Sequence, residues 1–341
     1  MLESPKILIV GTGSIGGVCA ALIAKAGYTV EVVCKYPDLV PKIKTQGLKI
    51  SGIRGDLQVQ MSAVATISEL TEQKDIVLLA TKATDMMDAA AMLLPFLHER
   101  SLVVSLQNGI CEEMLATVVG RNRVVGCVVG WGATMLAPGE LEMTSEGEFI
   151  IGRIDDELDL KQLELVQKIL SQVVPVEISA DIIAHLYSKL IINSCITSLG
   201  AICGLYLGEM LRQQKIRTVF IEIMREAMAV AAAMKMTVPP YANKIDYYKF
   251  LDSKSYWGHF KRHLIIRIIG FKYRRLKSSS LQSLERGKVT EIDYLNGYIV
   301  QKGKELDIPT PINSLVVETI KEIESGQRKI SKHNFIEKGF W

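Results

Sequence analysis

The sequence predicts an α/β domain with a parallel sheet, followed by an all-helical domain. Three observations support this prediction: a glycine cluster between an apolar run and a helix-like stretch, an alternation of apolar runs with amphipathic stretches, and the loss of the strand pattern after Ser179. The chain has 341 residues, 48% of them hydrophobic and 23% charged, which is enough for about two domains. We place these domains at residues 1–179 and 180–341.

The first elements surround the glycine cluster. Residues 6–10 predict a strand, residues 18–27 a helix and residues 28–34 a second strand. The turn after the first strand reads Gly11-Thr12-Gly13-Ser14-Ile15-Gly16. Strand, GxGxxG, helix and strand in this order are typical of a Rossmann-type dinucleotide-binding unit, whose glycines permit a tight turn and a close approach of the backbone to a pyrophosphate. We therefore predict that residues 11–16 bind a nucleotide cofactor at the helix N-terminus; the alternative is a glycine-rich turn without a ligand.

The end of the second strand distinguishes the two nicotinamide dinucleotides. In this fold an acidic residue there bonds the ribose 2′-hydroxyl of NAD, whereas a basic residue accommodates the 2′-phosphate of NADP. Here Lys35 follows the strand, and Glu31 lies too early in it. We therefore predict NADP (NADPH) as the cofactor, with Lys35 at the phosphate. The alternative is that Lys35 is an ordinary exposed lysine.

The remainder of the first domain continues the alternation. Strands are predicted at 75–80, 101–106 and 123–130, with a helix at 112–119. Alternating residues at 140–144 and 148–152 predict antiparallel strands added to the same sheet, and a helix at 155–172 and a strand at 173–178 close the domain.

The second domain shows only helical periodicity. Helices are predicted at 182–201, 213–234, 291–306 and 312–324. We expect the substrate to bind in a crevice between the two domains, where it can meet the nicotinamide.

One of these helices carries a polar stripe. Lys189, Asn193 and Thr197 lie at i, i+4 and i+8, on one helix face within an apolar segment. A lysine among so many apolar residues is costly unless it has a partner or a function. A catalytic role is one interpretation; the other is that Lys189 extends to solvent and Asn193 supports a helix kink.

Polar residues also follow two predicted strands. Lys82 follows the strand at 75–80, and Asn108 follows the strand at 101–106. The carboxyl ends of parallel strands face the ligand crevice, so both residues are candidates to contact cofactor or substrate; the alternative for Asn108 is a plain Asn-Gly turn. Further along, Thr290 is a candidate helix cap with Glu291 in the first turn, a structural explanation for that glutamate.

Together these segments resemble the ketopantoate reductase family over nearly the whole chain. The matching segments are GTGSIGG at 11–17, TKATD at 81–85, QNG at 107–109, the helix with Lys189 and Asn193, and SSSLQSLERGKVTEIDYLNG at 278–297. The resemblance implies a Rossmann domain, a helical substrate-binding domain, NADPH, and reduction of a 2-keto acid to a D-2-hydroxy acid. For ketopantoate (2-dehydropantoate) the product is D-pantoate, on the route to pantothenate and coenzyme A.

The resemblance also assigns roles by position. It implies that Lys189 donates a proton to the developing alkoxide and that Glu291 bonds the same hydroxyl and positions the lysine. It places Asn108 at the nicotinamide and substrate, Ser279 at the substrate carboxylate and Lys82 close to the cofactor. A positioned ammonium suits this chemistry, because hydride arrival at the carbonyl carbon leaves negative charge on the oxygen.

Two features depart from the family pattern. Asn193 corresponds to the first of two helix asparagines that hold the distal hydroxyl of the substrate, but Thr197 and Ser198 stand where the second asparagine and a proline are expected. The exact 2-keto acid is therefore open.

The second departure is a longer segment: the chain is longer than expected between Pro240 and Lys277, and residues 253–284 carry no Asp or Glu. A solvated basic face, an anionic substrate tail, a membrane surface and an acidic partner are the alternatives for this segment.

Composition and charge narrow the functional classes that remain for this protein. A formal net charge of +3 is too small to indicate nucleic acid, and no uninterrupted apolar run reaches the length of a membrane span. Six scattered cysteines indicate reduced thiols of a cytoplasmic protein, and His259 and His263 lack the further ligands of a metal site. The oligomeric state is open, with a homodimer as one option. Besides ketopantoate reduction, we keep a D-2-hydroxyacid dehydrogenase acting on another 2-keto acid and a non-catalytic NADP-binding sensor; retention of Lys189 and Glu291 argues against the sensor.

Overall fold

The structure, a computed structural model, describes residues 5–155, 158–242, 244–252 and 255–341. The chain divides into two compact units. Unit 1 contains the described residues up to Gln107 together with Cys111–Leu186, and unit 2 contains Asn108–Ile110 and Tyr187–Trp341. The three-residue segment Asn108–Ile110 thus belongs to unit 2, although the chain on both sides of it belongs to unit 1.

Unit 1 alternates strands and helices. Its strands are β1 (Ile7–Val10), β2 (Val30–Val33), β3 (Leu48–Gly52), β4 (Leu57–Val59), β5 (Ser62–Val64), β6 (Lys74–Leu79), β7 (Leu97–Ser105), β8 (Val124–Val129), β9 (Gly132–Ala137), β10 (Glu140–Ser145), β11 (Phe149–Arg153) and β12 (Val176–Ile178). Its helices are α1 (Ser14–Lys25), α2 (Leu39–Thr45), α3 (Ala83–Leu93), α4 (Glu112–Val119) and α5 (Leu160–Leu170).

Eight strands form the main sheet, in the order β12-β11-β8-β7-β6-β1-β2-β5. Strand β1 lies in the interior of this sheet and pairs in parallel with β2 and β6. All four side chains of β1 are buried, as expected for a parallel strand covered on both faces. Strand β11 is antiparallel to β8, as the pattern at 148–152 predicts. The predicted fold class, an α/β domain followed by a helical domain, is confirmed.

The prediction for residues 140–144 is wrong. Strand β10 does not join the main sheet; it belongs to a second, four-stranded sheet with the order β4-β3-β10-β9. It pairs in parallel with β3, with Glu140 opposite Lys49. The cause is packing on α1: Leu141 is buried, and a Cβ added to Gly17 of that helix would lie 2.3 Å from the Leu141 Cδ1 atom.

The helix predicted at 155–172 is shorter in the structure, because α5 begins only after its N-cap Asp159, whose side chain accepts a hydrogen bond from the backbone N–H of Lys161. Residues 156 and 157 lie outside the described residues.

Among its described residues, unit 2 is helical. Its helices are α6 (Ile182–Cys203), which begins in unit 1, and then α7 (Leu207–Arg212), α8 (Gln214–Ala233), α9 (Tyr247–Asp252), α10 (Tyr256–Lys272), α11 (Ser279–Glu285), α12 (Asn296–Glu305), α13 (Pro311–Glu324) and α14 (Asn334–Glu337). The continuous helix predicted at 291–306 is wrong: a short 3₁₀ turn, Ile292–Tyr294, precedes α12, and the backbone of Leu295 between them is not helical. The apolar residues keep their helical spacing across this break, so the sequence pattern does not reveal the break.

Helix α6 is the core of unit 2. Its Tyr187 hydroxyl donates to the carbonyl of Ala227 at 2.7 Å, and the Tyr247 hydroxyl donates to the carbonyl of Ser188 at 2.5 Å. It is also the one helix in the described part of the chain that is long and apolar enough to cross a membrane. Because 78% of its most apolar window is buried within the protein, its apolar character is explained by packing.

Candidate active site

Two glycines of the turn after β1 are required by the packing of the protein itself. Gly11 has φ +103°, and a Cβ there would lie 2.9 Å from the carbonyl oxygen of Ala80. A Cβ at Gly16 would lie 2.1 Å from the Gly11 carbonyl oxygen. These glycines therefore let β1, α1 and the end of β6 pack closely, as the sequence pattern predicts.

Gly13 differs from both. It has φ −70°, which any residue adopts, and an added Cβ would meet nothing within 4 Å. Neither backbone conformation nor packing therefore explains the glycine. Gly13 is the N-cap of α1, whose first turn has no acidic residue and, among the described residues, no side-chain cap. A bare helix N-terminus beside an open glycine fits a pyrophosphate, which binds to backbone N–H groups at close range. Thr12 is buried here, whereas Ser14 and Ile15 are half-buried.

The two candidate lysines of the cofactor site follow β2 and β6, the two strands that flank β1. Lys35 follows β2, and its Nζ lies 3.2 Å from Asp85 Oδ2 in the first turn of α3. Lys82 is the exposed N-cap of the same helix. The Lys35 and Asp85 side chains are 77% and 51% exposed, so this ion pair is weak and Lys35 is accessible to another anion. Sequence reasoning missed Asp85 as the partner, because the two residues lie on separate elements.

In unit 2, the first two residues of the predicted polar stripe lie on the accessible side of a buried helix. Lys189 and Asn193 are half-buried, while the residues between them, Leu190, Ile191 and Ile192, are buried. The ammonium and the amide of the stripe thus share one face of α6 at i and i+4.

Asn108 lies against this stripe. The side-chain Nδ2 of Asn193 donates to Asn108 Oδ1 at 3.4 Å. Gly109 has φ +97°, and a Cβ there would lie 2.5 Å from the carbonyl oxygen of Tyr294. The loop that carries Asn108 is therefore packed between α6 and the 3₁₀ turn that follows Glu291.

The turn at Glu291 is fixed from two sides. The Thr290 hydroxyl accepts from the backbone N–H of Ile292 at 3.2 Å and donates to Glu324 Oε1 at 2.7 Å. Asn296 Nδ2 donates to the carbonyl of Ser194, next to Asn193, at 3.2 Å. These contacts hold the half-buried Glu291 at the start of a turn that is tied to α6.

The far end of the stripe meets the N-terminus of α11. Thr197 is 9% exposed, and its hydroxyl donates to the carbonyl of Asn193 at 2.8 Å. Ser278, the N-cap of α11, donates to the carbonyl of Thr197 at 3.2 Å, which places the exposed Ser279 one residue further on. With its proton donated within its own helix, the Thr197 hydroxyl offers a ligand its acceptor lone pairs.

Sequence reasoning also missed the burial of Glu112. Glu112, the first residue of α4, is 1% exposed and accepts from the backbone N–H of Cys111 at 2.9 Å. Desolvation by burial raises the pKa of its carboxyl to about 7. Acidic residues in a first helical turn are usually exposed, so no local signal predicts this burial.

Metal ligands do not group in the described ranges: no cluster of three or more His, Cys, Asp or Glu side chains suits an ion there. The rings of His259 and His263 lie with centroids 4.5 Å apart.

The arrangement supports two kinds of chemistry. Unit 1 offers a glycine turn, a helix N-terminus and lysines, which together suit a phosphorylated dinucleotide. Unit 2 groups Lys189, two amides and the turn of Glu291, which suit a small polar molecule whose oxygen gains negative charge.

Two family profiles match the sequence. The profile described as "Ketopantoate reductase PanE/ApbA" matches residues 7–156, and the profile described as "Ketopantoate reductase PanE/ApbA C terminal" matches residues 181–324. Together they account for most of both units.

Individual relatives match over nearly the full length. The 2-dehydropantoate 2-reductase of Pyrococcus abyssi is 29% identical over 327 residues, covering 95% of this chain and 99% of that protein. A crystal structure of a PanE/ApbA family ketopantoate reductase from Ralstonia eutropha JMP134 is 31% identical with a TM-score of 0.79, covering 94% of this chain and 99% of the other. D-mandelate dehydrogenase, solved with NADH and anilino(oxo)acetate, has a TM-score of 0.80 at 21% identity, and the match covers 94% of this chain and 98% of the other. This last likeness shows a shared fold.

Proposed function

The chain belongs to the ketopantoate reductase family, and we propose that it reduces the ketone of a 2-keto acid with NADPH, ketopantoate being the leading substrate and D-pantoate the product. The observation that carries this proposal is the grouping in unit 2: Lys189 and Asn193 form the accessible face of a buried helix, and Asn108 is hydrogen-bonded to that face. The proposal includes a cytoplasmic role in pantothenate and coenzyme A biosynthesis.

The glycine turn would hold the cofactor. Residues 11–16 would bind the pyrophosphate through backbone N–H groups, and Lys35 would exchange Asp85 for the 2′-phosphate of NADPH. Lys82 would contribute a second cation after β6. When bound, NADPH supplies the hydride that reduces the ketone carbon.

The residues of unit 2 would manage charge and protons. As the carbonyl oxygen gains negative charge, the Lys189 ammonium would stabilise it and transfer a proton to it, which completes the hydroxyl. Glu291 would accept a hydrogen bond from that hydroxyl and orient Lys189. Asn108 and Ser279 would bind the substrate near the reacting ketone and at its carboxylate.

The distal hydroxyl of ketopantoate would meet Asn193 and Thr197. Asn193 would donate to it, and Thr197 would accept from it while its own proton is donated to the Asn193 carbonyl. A buried site built for a hydroxyl strongly rejects analogues that lack it.

The second candidate is a D-2-hydroxyacid dehydrogenase acting on a different 2-keto acid. Thr197 favours it, because a shorter and less versatile group replaces the amide expected for ketopantoate. The shared fold of D-mandelate dehydrogenase shows that the fold alone does not decide between these substrates. Retention of both Lys189 and Glu291 argues against a non-catalytic NADP-binding sensor, which needs neither.

A panel of 2-keto acids, assayed by NADPH oxidation, tests the proposal. Ketopantoate should exceed 2-ketoisovalerate, which lacks the distal hydroxymethyl, by more than about tenfold in kcat/KM. Thr197→Asn should keep or raise activity with ketopantoate. A preference for 2-ketoisovalerate or an aromatic keto acid would support the second candidate, and inactivity with every member of the panel would refute both.

A further inference from the structure

Helix α10 of unit 2 exposes large apolar side chains along one face. Its outward residues recur at intervals of three and four, so at 3.6 residues per turn they fall within an arc of about 80°. This apolar stripe consists of Trp257, Phe260, Leu264, Ile268 and Phe271, which are 76%, 54%, 45%, 58% and 71% exposed. A solvated basic face does not account for five adjacent exposed side chains of this size.

Cations border the apolar stripe on both sides. Lys261 and Lys272 flank one edge and Arg267 the other, and all three are exposed. Beyond the helix, the Arg274 guanidinium lies 5.3 Å above the ring of Phe271. No Asp or Glu occurs at 253–284, of which residues 253 and 254 lie outside the described residues. The neighbouring α7 carries one acidic residue, Glu209, and one basic residue, Arg212, so its formal charge is zero.

The opposite face of α10 is anchored in unit 2. A Cβ at Gly270 would lie 2.8 Å from the Leu211 Cβ, so the helix packs closely on α7. Arg217 of α8 donates through Nε to His263 Nδ1 at 3.2 Å, and both side chains are buried. Since this side is fixed by packing and hydrogen bonding, the apolar stripe is held outward.

We propose that α10 docks in the plane of a phospholipid surface that contains anionic lipid, with the apolar stripe among the acyl chains and its basic borders at the headgroups. Helices that lie in a membrane interface carry this pattern of Trp, Phe and Leu on one face and Lys or Arg beside it. The long side chains of Lys261, Arg267 and Lys272 extend from the edge of the stripe to the phosphates.

Charge decides against a second copy of the chain as the occupant. Pairing two apolar stripes would bring basic borders together, and no carboxylate of the described residues 255–284 is there to compensate them. An anionic lipid surface complements both borders at once.

The test is vesicle binding by the full-length protein. It should co-sediment with vesicles of phosphatidylcholine containing about one third phosphatidylglycerol, and more weakly with phosphatidylcholine alone. The tryptophan emission should shift to the blue on binding, and Trp257→Phe should abolish the shift while Trp131 and Trp341 remain.

Matched variants separate the apolar stripe from general surface effects. Ile268→Glu should lower vesicle partitioning roughly tenfold or more, whereas Leu136→Glu should not, although both wild-type side chains are 58% exposed. Lys261→Gln with Lys272→Gln should weaken binding to anionic vesicles by roughly 30-fold, and Lys42→Gln with Lys44→Gln should have little effect. Circular dichroism and turnover in the absence of lipid check that each variant is folded.

Three outcomes would overturn the proposal. The protein could bind both vesicle types equally, or the folded Ile268→Glu variant could partition to vesicles as the wild type does. In the third outcome, the wild type does not bind vesicles but forms a dimer, and Ile268→Glu dissociates that dimer. The last outcome would identify the apolar stripe as a contact between copies.

Discussion

Asn193 donates a side-chain hydrogen bond to Asn108 at 3.4 Å, joining residues 85 positions apart in the sequence. The contact connects the loop after β7 to the polar stripe of α6. It explains why Asn108–Ile110 belongs to the helical unit although the chain around it belongs to the sheet unit. We propose that the two amides, oriented by this contact, bind the substrate together.

The two asparagines should act as a coupled pair. Asn108→Ala and Asn193→Ala should each raise KM for the 2-keto acid, and the double variant should lose less than the sum of the two changes. The coupling free energy expected from kcat/KM is about 0.5–1.5 kcal/mol, the scale of one hydrogen bond. Strict additivity in this double-mutant cycle would show that the contact plays no part in substrate binding.

The glycine turn predicts a contrast between two similar substitutions. Gly13→Ala should leave the free energy of unfolding within about 0.5 kcal/mol, because the added methyl meets nothing, yet weaken NADPH binding by roughly tenfold or more. Gly16→Ala should cost roughly 1–3 kcal/mol or prevent folding, since its Cβ would overlap the Gly11 carbonyl. Thermal unfolding and cofactor titration measure the two effects. Normal NADPH affinity in Gly13→Ala would place the pyrophosphate elsewhere.

The position of Lys35 predicts cofactor preference. The wild type should bind NADPH more tightly than NADH, and Lys35→Asp should reduce that preference roughly tenfold or more through repulsion of the 2′-phosphate. Asp85→Asn should increase the preference, because it releases Lys35 and removes a nearby negative charge. Lys42→Asp, at an exposed position of α2, is the matched control. Equal affinity of the wild type for both cofactors would refute the assignment.

The buried carboxyl of Glu112 predicts a dependence of stability on pH. Its pKa is raised from 4.5 to about 7, so the folded state binds this proton more tightly than the unfolded chain. The protonated Glu112 carboxyl therefore contributes its full stabilisation below the pKa of the unfolded chain. This stabilisation falls as pH rises from that pKa to the pKa of the folded state, and it is lost above about pH 7.

Glu112→Gln removes this ionisation while keeping the shape. Between about pH 5 and about pH 8 the free energy of unfolding of the variant should fall less than that of the wild type, by up to about 3 kcal/mol. Glu113→Gln, at the exposed neighbouring position, should change the pH dependence little. Denaturant unfolding at both pH values measures the difference. If the free energy of unfolding changes with pH by the same amount in the wild type and in Glu112→Gln, Glu112 is excluded as the source of the pH dependence.

Local patterns in the sequence predict much of this protein, and long-range packing accounts for what they miss. The order of β1, the glycine turn, α1 and β2 is a local signal, and so is the spacing of Lys189, Asn193 and Thr197. The pairing of β10 with β3 is not, because it joins residues about 90 apart and depends on the fit of Leu141 against Gly17. The contact of Asn193 with Asn108, the break at Leu295 and the burial of Glu112 likewise depend on neighbours that are remote in the sequence.

The most direct test of the account is the turnover of Lys189→Met, which removes the ammonium but keeps most of the side-chain volume. The account predicts that kcat for the preferred 2-keto acid falls by roughly 10²–10⁴-fold, the usual contribution of a positioned acid. NADPH affinity should stay near that of the wild type, because the residues proposed to bind the phosphates of the cofactor, residues 11–16, Lys35 and Lys82, lie in unit 1. A variant that binds NADPH normally and turns over within about threefold of the wild type would contradict the role of Lys189 as proton donor.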